Sequence, residues 1–420
     1  AGAATKLSLE TPPSGGRSTI ALGTQPTVQL RDAGNNPVAS GGVLVTASIA
    51  TSPGGNPALT GLTATTDGTG LATFSGLTLH GLVGPYTITF TGTGVATPVT
   101  SGPVGLTAGP ATKLSLTTEP GAISAVNGAL LNAQPVVQLR DSVGNAVDSA
   151  ATIGVARAAG AALLTGTVSV GTVGGVATFT NLVLTGIAGA HTLQFTAAPL
   201  TPVTSVSFNL TPGAAASVTI LTDAPAAATN GVTLSQSPVV EVRDASTNLI
   251  TGTSVVAALA TGAGTGTLNG TLSVITDGLG RATFGDLNIV GTVGTYSIQF
   301  TAGTGSTTTI NITLAVGVAT ALAITTQPEA APAAGVAFAP QPVVRLVDSG
   351  GNTVTTGGIT ITAVLQIVSG TGVLGGTAAA NTVTGVSTWT DLSISLAGSY
   401  TIRFDSPGLT SVTSAAINVP

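Results

Sequence analysis

The chain has 420 residues, enough for three or four domains of ordinary size, and only 6% of them are charged. Gly, Pro, Thr or Ser interrupts every apolar stretch well before the ~20 residues that a membrane-spanning helix requires, which excludes such a span. Because the net charge is -5 and the 10 basic residues are scattered, the sequence also argues against a nucleic-acid partner.

Neither Cys nor Met occurs in the sequence. Without Cys the chain forms no disulfide and no Cys-ligated metal site, so packing alone must hold the fold. Without Met it does not begin at an initiator, and we expect a processed or partial chain. Removal of a secretory signal is the simplest processing, which predicts an extracellular or cell-surface location.

An internal repeat organises the chain. Phe74, Phe179, Phe284 and Trp389 follow one another at intervals of 105 residues, and each closes a segment similar to Ala-Thr-Phe. The period predicts four domains, called repeats 1 to 4 below, with the boundaries 1–108, 109–213, 214–317 and 318–420.

The strands of each repeat are predicted from alternating apolar and polar residues. After a Pro, the first clear strand covers 27–30 in repeat 1, followed by strands at 43–49, 77–79 and 86–90. The other repeats have similar segments, and repeats 1 and 3 mark a hairpin with Asp-Gly. About seven short strands per repeat, without any helical period, predict an antiparallel sandwich of two sheets.

An Asp and, four residues later, an Asn follow the first clear strand of every repeat. These residue types bond their own backbone, so we expect a capped turn between strands, and the Arg-Asp pairs at 31–32, 140–141 and 243–244 are expected to combine an exposed charge with this cap. One Asp and one Asn per repeat offer too few oxygen ligands for a calcium site, and no cofactor or metal is expected. The turn residues are Asp32, Asn36, Asp141, Asn145, Asp244, Asn248, Asp348 and Asn352.

Two aromatic series are predicted to fill the space between the sheets. They account for eight of the aromatic residues, namely Phe74, Phe90, Phe179, Phe195, Phe284, Phe300, Trp389 and Phe404. A third series consists of the three Tyr residues of the chain, Tyr86, Tyr296 and Tyr400, with His191 at the same place in repeat 2. Its position in a late strand is typical of the tyrosine corner, whose hydroxyl bonds nearby backbone.

The repeats resemble bacterial immunoglobulin-like domains, especially those of invasin-like and intimin-like surface proteins. In that family an Asp-x-x-Gly-Asn turn and a Gly-x-Ala-Thr-Phe segment before a Gly-x-Tyr strand recur, and residues 141–145 and 175–179 match best. The resemblance covers all four repeats and departs at His191 and Trp389. It implies four tandem immunoglobulin-like antiparallel β-sandwiches that form an elongated rod.

Catalysis is not expected. The chain has two His residues, His80 and His191, and neither can be combined with a Ser and an Asp from adjacent segments. Carboxylates are few and dispersed, so no acid-base pair is apparent. Both His residues are interpreted as structural.

Three functions remain open. The first is a structural subunit of an extracellular filament or surface lattice, because the low charge favours a surface packed on neighbouring molecules or coated with sugar. The second is a cell-surface stalk or adhesin that binds a host or a polysaccharide, and the third is a non-catalytic module of a larger secreted protein. Glycan attachment is open at the three Asn sequons, Asn209, Asn269 and Asn311.

The chain ends favour the first function with the chain itself as partner. Placing the C-terminus before the N-terminus continues the internal sequence register and gives the same 105-residue period from Trp389 to Phe74 of a second copy. Head-to-tail contact that does not close into a ring forms a filament. We expect this assembly contact to involve Ala1, Gly2, Ala3, Leu7, Val419 and Pro420.

Overall fold

A computed structural model describes residues 1–121, 124–260, 265–303 and 307–420. Within these ranges every regular element is a β-strand. The predicted all-β fold is therefore confirmed. None of the described residues forms a helix that is long and apolar enough to cross a bilayer.

The chain divides into two compact units, residues 1–212 and residues 213–420. The first unit contains repeats 1 and 2, and the second contains repeats 3 and 4. The boundaries of the four predicted domains stay a prediction.

The strands of the first unit are, in chain order, β1 (Lys6–Thr11), β2 (Gly16–Arg17), β3 (Thr27–Arg31), β4 (Leu44–Thr51), β5 (Ala58–Thr60), β6 (Thr63–Thr65), β7 (Leu71–Thr73), β8 (Thr78–His80), β9 (Gly84–Gly92), β10 (Val99–Thr100), β11 (Val104–Thr107), β12 (Lys113–Thr118), β13 (Ala125–Val126), β14 (Val136–Arg140), β15 (Thr152–Ala159), β16 (Ala162–Thr165), β17 (Ser169–Gly171), β18 (Val176–Thr178), β19 (Val183–Gly186), β20 (Gly189–Thr196), β21 (Val203–Thr204) and β22 (Phe208–Thr211).

The strands of the second unit are β23 (Ala215–Thr222), β24 (Ala227–Thr229), β25 (Val239–Asp244), β26 (Ser254–Leu259), β27 (Gly266–Asn269), β28 (Ser273–Ile275), β29 (Arg281–Thr283), β30 (Asn288–Gly291), β31 (Gly294–Ala302), β32 (Thr308–Ala315), β33 (Ala321–Thr326), β34 (Val343–Val347), β35 (Thr360–Gly370), β36 (Leu374–Gly375), β37 (Ala379–Asn381), β38 (Val386–Thr388), β39 (Ser393–Ile394), β40 (Gly398–Asp405), β41 (Val412–Thr413) and β42 (Ile417–Val419).

Repeat 1 is a sandwich of two main sheets. The smaller sheet has the order β1-β3-β7, and the larger has the order β2-β11-β9-β4-β6, with β10 paired to β9. Strands β2 and β11 pair in parallel, with Leu106 opposite Gly16. Repeats 2 and 3 have the same strand order, β12-β14-β18 with β13-β22-β20-β15-β17 and β23-β25-β29 with β24-β32-β31-β26-β28. This arrangement is the immunoglobulin-like sandwich.

Repeat 4 differs at its last strand. Its sheets have the orders β33-β34-β38 and β37-β35-β40-β41, and β42 pairs with β40. Among the described strands none pairs in parallel with β42. A backbone hydrogen bond of 2.7 Å from the Asn418 N–H to the Ala330 carbonyl connects β42 to the loop between β33 and β34.

The described residues form four hydrophobic cores, one in each repeat. The eight aromatic residues of the first two series are at most 4% exposed. They pack pairwise, with ring centroids 5.3 Å apart for Phe74 and Phe90, 5.5 Å for Phe179 and Phe195, 4.9 Å for Phe284 and Phe300, and 4.9 Å for Trp389 and Phe404. Each pair joins the residue that follows the last strand of the smaller sheet to a strand of the larger sheet.

The three Tyr side chains are buried, and each hydroxyl donates to the backbone carbonyl four residues earlier. The distances are 2.8 Å from Tyr86 to Leu82, 2.7 Å from Tyr296 to Thr292 and 3.2 Å from Tyr400 to Leu396. Burial raises the pKa of the Tyr86 hydroxyl above its ordinary value. These bonds hold the loop that precedes the late strand.

His191 stands where the other repeats have Tyr and does not reproduce this bond. It is 1% exposed, and its Nδ1 lies 2.9 Å from the Gly189 carbonyl. Its Nε2 is buried and has no hydrogen-bond partner in the described part of the chain. A buried polar atom without a partner destabilises a fold.

We expect His191→Tyr to stabilise repeat 2 by about 1 kcal/mol, because the introduced hydroxyl can donate to the Ile187 carbonyl and the orphaned nitrogen is removed. Slower hydrogen exchange of the β20 amides measures the gain. His80→Tyr is the control, since His80 is half-buried and its Nε2 already lies 3.4 Å from the Thr60 hydroxyl. Equal or faster exchange of β20 in His191→Tyr would contradict the interpretation.

Candidate functional site

Asp141 organises the turn that follows β14. Its Oδ1 accepts hydrogen bonds from the backbone N–H groups of Val143, Gly144 and Asn145 at 3.0, 2.8 and 2.9 Å. Its Oδ2 accepts the Gly109 N–H at 2.9 Å and the Asn145 side-chain amide at 2.8 Å. The carboxylate therefore ties the linker between repeats 1 and 2 to the turn and orients the Asn145 side chain.

The Asn145 side chain reaches back to repeat 1. Its Nδ2 donates to the Gly81 carbonyl at 3.0 Å, and its Oδ1 accepts the Val83 N–H at 3.0 Å. Both backbone groups belong to the loop between β8 and β9. We call this contact the amide joint: one Asn side chain bonds a carbonyl and an N–H group, two residues apart, in a loop of the preceding repeat.

The amide joint recurs in the second unit. Asn352 donates to the Gly291 carbonyl at 2.8 Å and accepts the Val293 N–H at 2.9 Å. Asp348 holds this turn as Asp141 holds the other, and it accepts the Gly317 N–H at 2.9 Å. Both units form the contact with residues at corresponding positions. The amide joint is therefore a feature that the two units share.

A second polar side chain holds the loop on its own repeat. In repeat 1 the Ser18 hydroxyl donates to the Gly81 carbonyl at 3.3 Å. In repeat 3 the Asn230 amide donates to the Gly291 carbonyl at 3.1 Å and accepts the Gly291 N–H at 3.1 Å. The loop is thus fixed on its own repeat when the next repeat binds it.

The turn carboxylates are buried. Asp141 is 0% exposed and Asp348 is 3% exposed. Burial raises the pKa of Asp141, but hydrogen bonds from Asn145 and the Gly109 N–H outweigh it and hold the pKa below its ordinary value. The pKa of Asp348 is lowered against burial in the same way, chiefly by the Gly317 N–H and by Asn230.

The direction of these pKa shifts determines the pH range in which the two carboxylates stabilise their turns. A carboxylate with a lowered folded-state pKa stabilises the fold above its unfolded-state pKa of about 3.9. That contribution is lost as the pH falls through the folded-state pKa. The Asp141 and Asp348 carboxylates are therefore charged at neutral pH and hold the turns that orient Asn145 and Asn352.

The turns of the other two repeats have the same internal geometry. Asp32 accepts the Gly2 N–H at 2.9 Å and the Asn36 N–H at 2.9 Å, which lower its pKa to about 2. Asp244 accepts the Gly213 N–H at 2.9 Å and the Asn248 N–H at 2.9 Å. All four predicted Asp and Asn pairs therefore form turns in which the Asp caps the Asn.

The predicted assembly residues are not all available for a contact. Leu7 is 6% exposed and Val419 is 4% exposed, because each packs in the core of its own repeat. Their assignment to an assembly surface is corrected. Gly2 is exposed but donates its N–H to Asp32, and Ala1, Ala3 and Pro420 are exposed.

Groups that could carry chemistry lie apart. His80 and His191 belong to different repeats, and among the described residues no three His, Asp or Glu side chains lie close enough to hold a metal ion. The turn carboxylates already accept several N–H groups, which leaves few lone pairs for a cation. A shallow depression of 580 Å³ beside Arg157 and Leu163 is lined by aliphatic side chains and that one cation.

The backbone half of the joint was missed in the sequence. Gly81, Val83, Gly291 and Val293 act through main-chain groups, which any residue carries. One signal could have indicated the loop: Gly81, Gly186 and Gly291 recur at intervals of 105 residues. In repeat 1 a Cβ at Gly81 would lie 2.2 Å from the Tyr86 hydroxyl, so a larger residue there would have to displace that hydroxyl.

We expect Asn145→Ala to loosen repeat 2 on repeat 1, because two hydrogen bonds between them are lost, worth about 1–3 kcal/mol together. The chain has no Cys, so spin labels can be attached at Thr63→Cys and Ser169→Cys, both exposed. Electron paramagnetic resonance should give a broader label distance distribution in the variant.

Asn36→Ala is the matched control for Asn145→Ala. It removes an Asn from the same turn geometry, where Asn36 bonds Asp32 and no residue of another repeat. The label distances should keep their original width. Equal widths in both variants would show that the amide joint does not fix the repeats.

No protein-family model and no curated protein matches this chain. Similar solved structures include the Escherichia coli adhesin FdeC (17% identity, 75% of this chain, 99% of that chain, TM-score 0.32). They also include invasin, a bacterial integrin-binding protein (15% identity, 98% of this chain, 79% of that chain, TM-score 0.32). A third is the S-layer protein SbsC (13% identity, 99% of this chain, 53% of that chain, TM-score 0.27). The identities and TM-scores are too low to support an argument about function.

Proposed function

We propose that the chain is a non-catalytic structural subunit of an extracellular filament or surface lattice, in which chains meet head to tail. The amide joint, formed by Asn145 in one unit and by Asn352 in the other, is the observation that carries this proposal. Polar bonds that fix one repeat on the next suit a protein whose task is to hold domains in a defined arrangement.

The character of the surface supports the same function. Val173 is 84% exposed and Val383 is 73% exposed, at the tips of corresponding hairpins in repeats 2 and 4. Together with a charged fraction of 6%, such side chains favour burial against neighbouring molecules. A lattice or filament provides those neighbours.

A stalk or adhesin that binds a polysaccharide is supported less well. Sugar rings are commonly bound by exposed aromatic side chains, and all 13 Phe, Trp and Tyr residues are described and buried. Catalysis also has little support, since His191 is enclosed in a core and the turn carboxylates are occupied by N–H donors. A structural role uses the amide joint, which forms in both units.

Purified chain tests the proposal directly. We expect sedimentation velocity to show species larger than one chain whose proportion grows with concentration at neutral pH, and negative-stain electron microscopy to show linear or sheet-like assemblies. A single species with the mass of one chain, 40.2 kDa, at every concentration would contradict the proposal.

A further inference from the structure

Repeat 1 carries the Asn half of an amide joint on a face that no described residue of the chain covers. The Gly2 N–H binds Asp32 at 2.9 Å, as the Gly109 N–H binds Asp141 at 2.9 Å. The Asn36 side chain donates to both Asp32 oxygens at 3.2 Å. Asn36 is thereby oriented in the way that Asn145 is oriented.

The outward side of Asn36 is unused. Asn36 is exposed, and its Oδ1 accepts no hydrogen bond from the described residues, whereas Asn145 is 7% exposed and its Oδ1 accepts the Val83 N–H. An amide that is held in place and has a free acceptor is preorganised for a partner. The partner that fits is a backbone segment with a carbonyl and an N–H group two residues apart.

Repeat 4 offers such a segment in its loop 395–397. Tyr400 bonds the Leu396 carbonyl as Tyr86 bonds the Leu82 carbonyl, so Ser395 corresponds to Gly81 and Ala397 to Val83. In the part of the chain that the structure describes, the Ser395 carbonyl and the Ala397 N–H have no hydrogen-bond partner. These two groups correspond to the ones that Asn145 binds in repeat 1.

The loop of repeat 4 is braced by a different neighbour. Ala334 stands where repeats 1 and 3 have Ser18 and Asn230, and it has no side-chain donor. The Ser395 N–H instead binds the Val373 carbonyl at 3.1 Å, and the Ser395 hydroxyl accepts the Val373 N–H at 3.0 Å. The loop is therefore held, and its outward carbonyl and N–H stay free.

We infer that Asn36 of one chain binds the Ser395 carbonyl and the Ala397 N–H of a second copy. This contact rests on the proposed head-to-tail function and specifies its residues. Different surfaces of the two copies meet, so the contact is heterologous and propagates into a filament unless the rotation closes a ring. The interface repeats, between chains, the joint found within each unit.

Sedimentation velocity of the full chain and its Asn36→Ala variant tests the inference. We expect the end-to-end association constant to fall about tenfold to a hundredfold, because two neutral hydrogen bonds are lost. Asn145→Ala is the matched control, with the same turn chemistry at an internal joint, and it should associate like the original chain. Circular dichroism melts verify that each variant is folded.

Ala397→Pro provides a second test because it removes the N–H on the other side of the contact. Combined with Asn36→Ala, it should add less than its separate effect, as expected for directly coupled groups. Unchanged association of Asn36→Ala, equal loss in Asn145→Ala, or full additivity would overturn the inference while leaving head-to-tail assembly in place. Absence of association in the original chain would overturn the proposed function itself.

Discussion

Replacing Phe404 by Ala is expected to lower the free energy of unfolding of repeat 4 by about 3–5 kcal/mol. Phe404 is 0% exposed, and its ring centroid lies 4.9 Å from that of Trp389. Removing the ring leaves a cavity beside Trp389, which adds to the loss of buried apolar surface. Trp389 is the only Trp of the chain, so its fluorescence during urea unfolding follows repeat 4.

Val383→Ala is the control for Phe404→Ala. Val383 belongs to the same repeat and is 73% exposed, so the change should stay within about 0.5 kcal/mol. A loss below about 1 kcal/mol in Phe404→Ala would show that the ring contributes little to the core and would remove the basis of the predicted packing.

Gly385→Ala is expected to cost at least about 4 kcal/mol in the same assay. Gly385 has a φ of 79°, and a Cβ there would lie 1.8 Å from the Val354 carbonyl oxygen. The overlap can be relieved only by moving backbone between β34 and the β37–β38 hairpin. A Cβ at Gly70 or at Gly175 would also lie 1.8 Å from a carbonyl oxygen. The close approach of this glycine to a carbonyl group is therefore a feature of three repeats.

Gly358→Ala separates backbone strain from steric overlap. Gly358 also has a φ of 79°, but no atom lies within 4 Å of the place that a Cβ would occupy. Gly358→Ala should therefore lower the free energy of unfolding by only roughly 1–2 kcal/mol, which is the cost of a left-handed backbone conformation for a residue with a Cβ. Equal losses in the two variants would show that the close approach to Val354 does not constrain the fold.

The sequence predicted the features that depend on local pattern and periodic spacing. The 105-residue aromatic period placed Phe74, Phe179, Phe284 and Trp389 in cores, because a large apolar residue that recurs at the same place in every repeat is expected to be buried between the sheets. The tyrosine series predicted hydroxyl bonds to nearby backbone because both partners lie within four residues of each other.

The joint could be predicted only in part. The Asp141 and Asn145 turn was recognised as a cap, since its bonds are local, but the second use of Asn145 depends on Gly81 and Val83, 64 and 62 residues earlier. Backbone groups carry no residue signature. The sequence register of the chain ends aligned Leu7 and Val419 with an internal joint, but it did not show that their side chains pack in the cores of their own repeats.

Crosslinking between two singly substituted chains tests head-to-tail assembly most directly. Ala33→Cys places a thiol on the exposed turn of repeat 1, and Leu396→Cys places one on the loop of repeat 4, where Leu396 is 50% exposed. No other thiol is present. With a short bis-maleimide, we expect a covalent dimer when the two variants are mixed and little dimer from either alone. Dimers from one variant alone, or none from the mixture, would contradict this expectation.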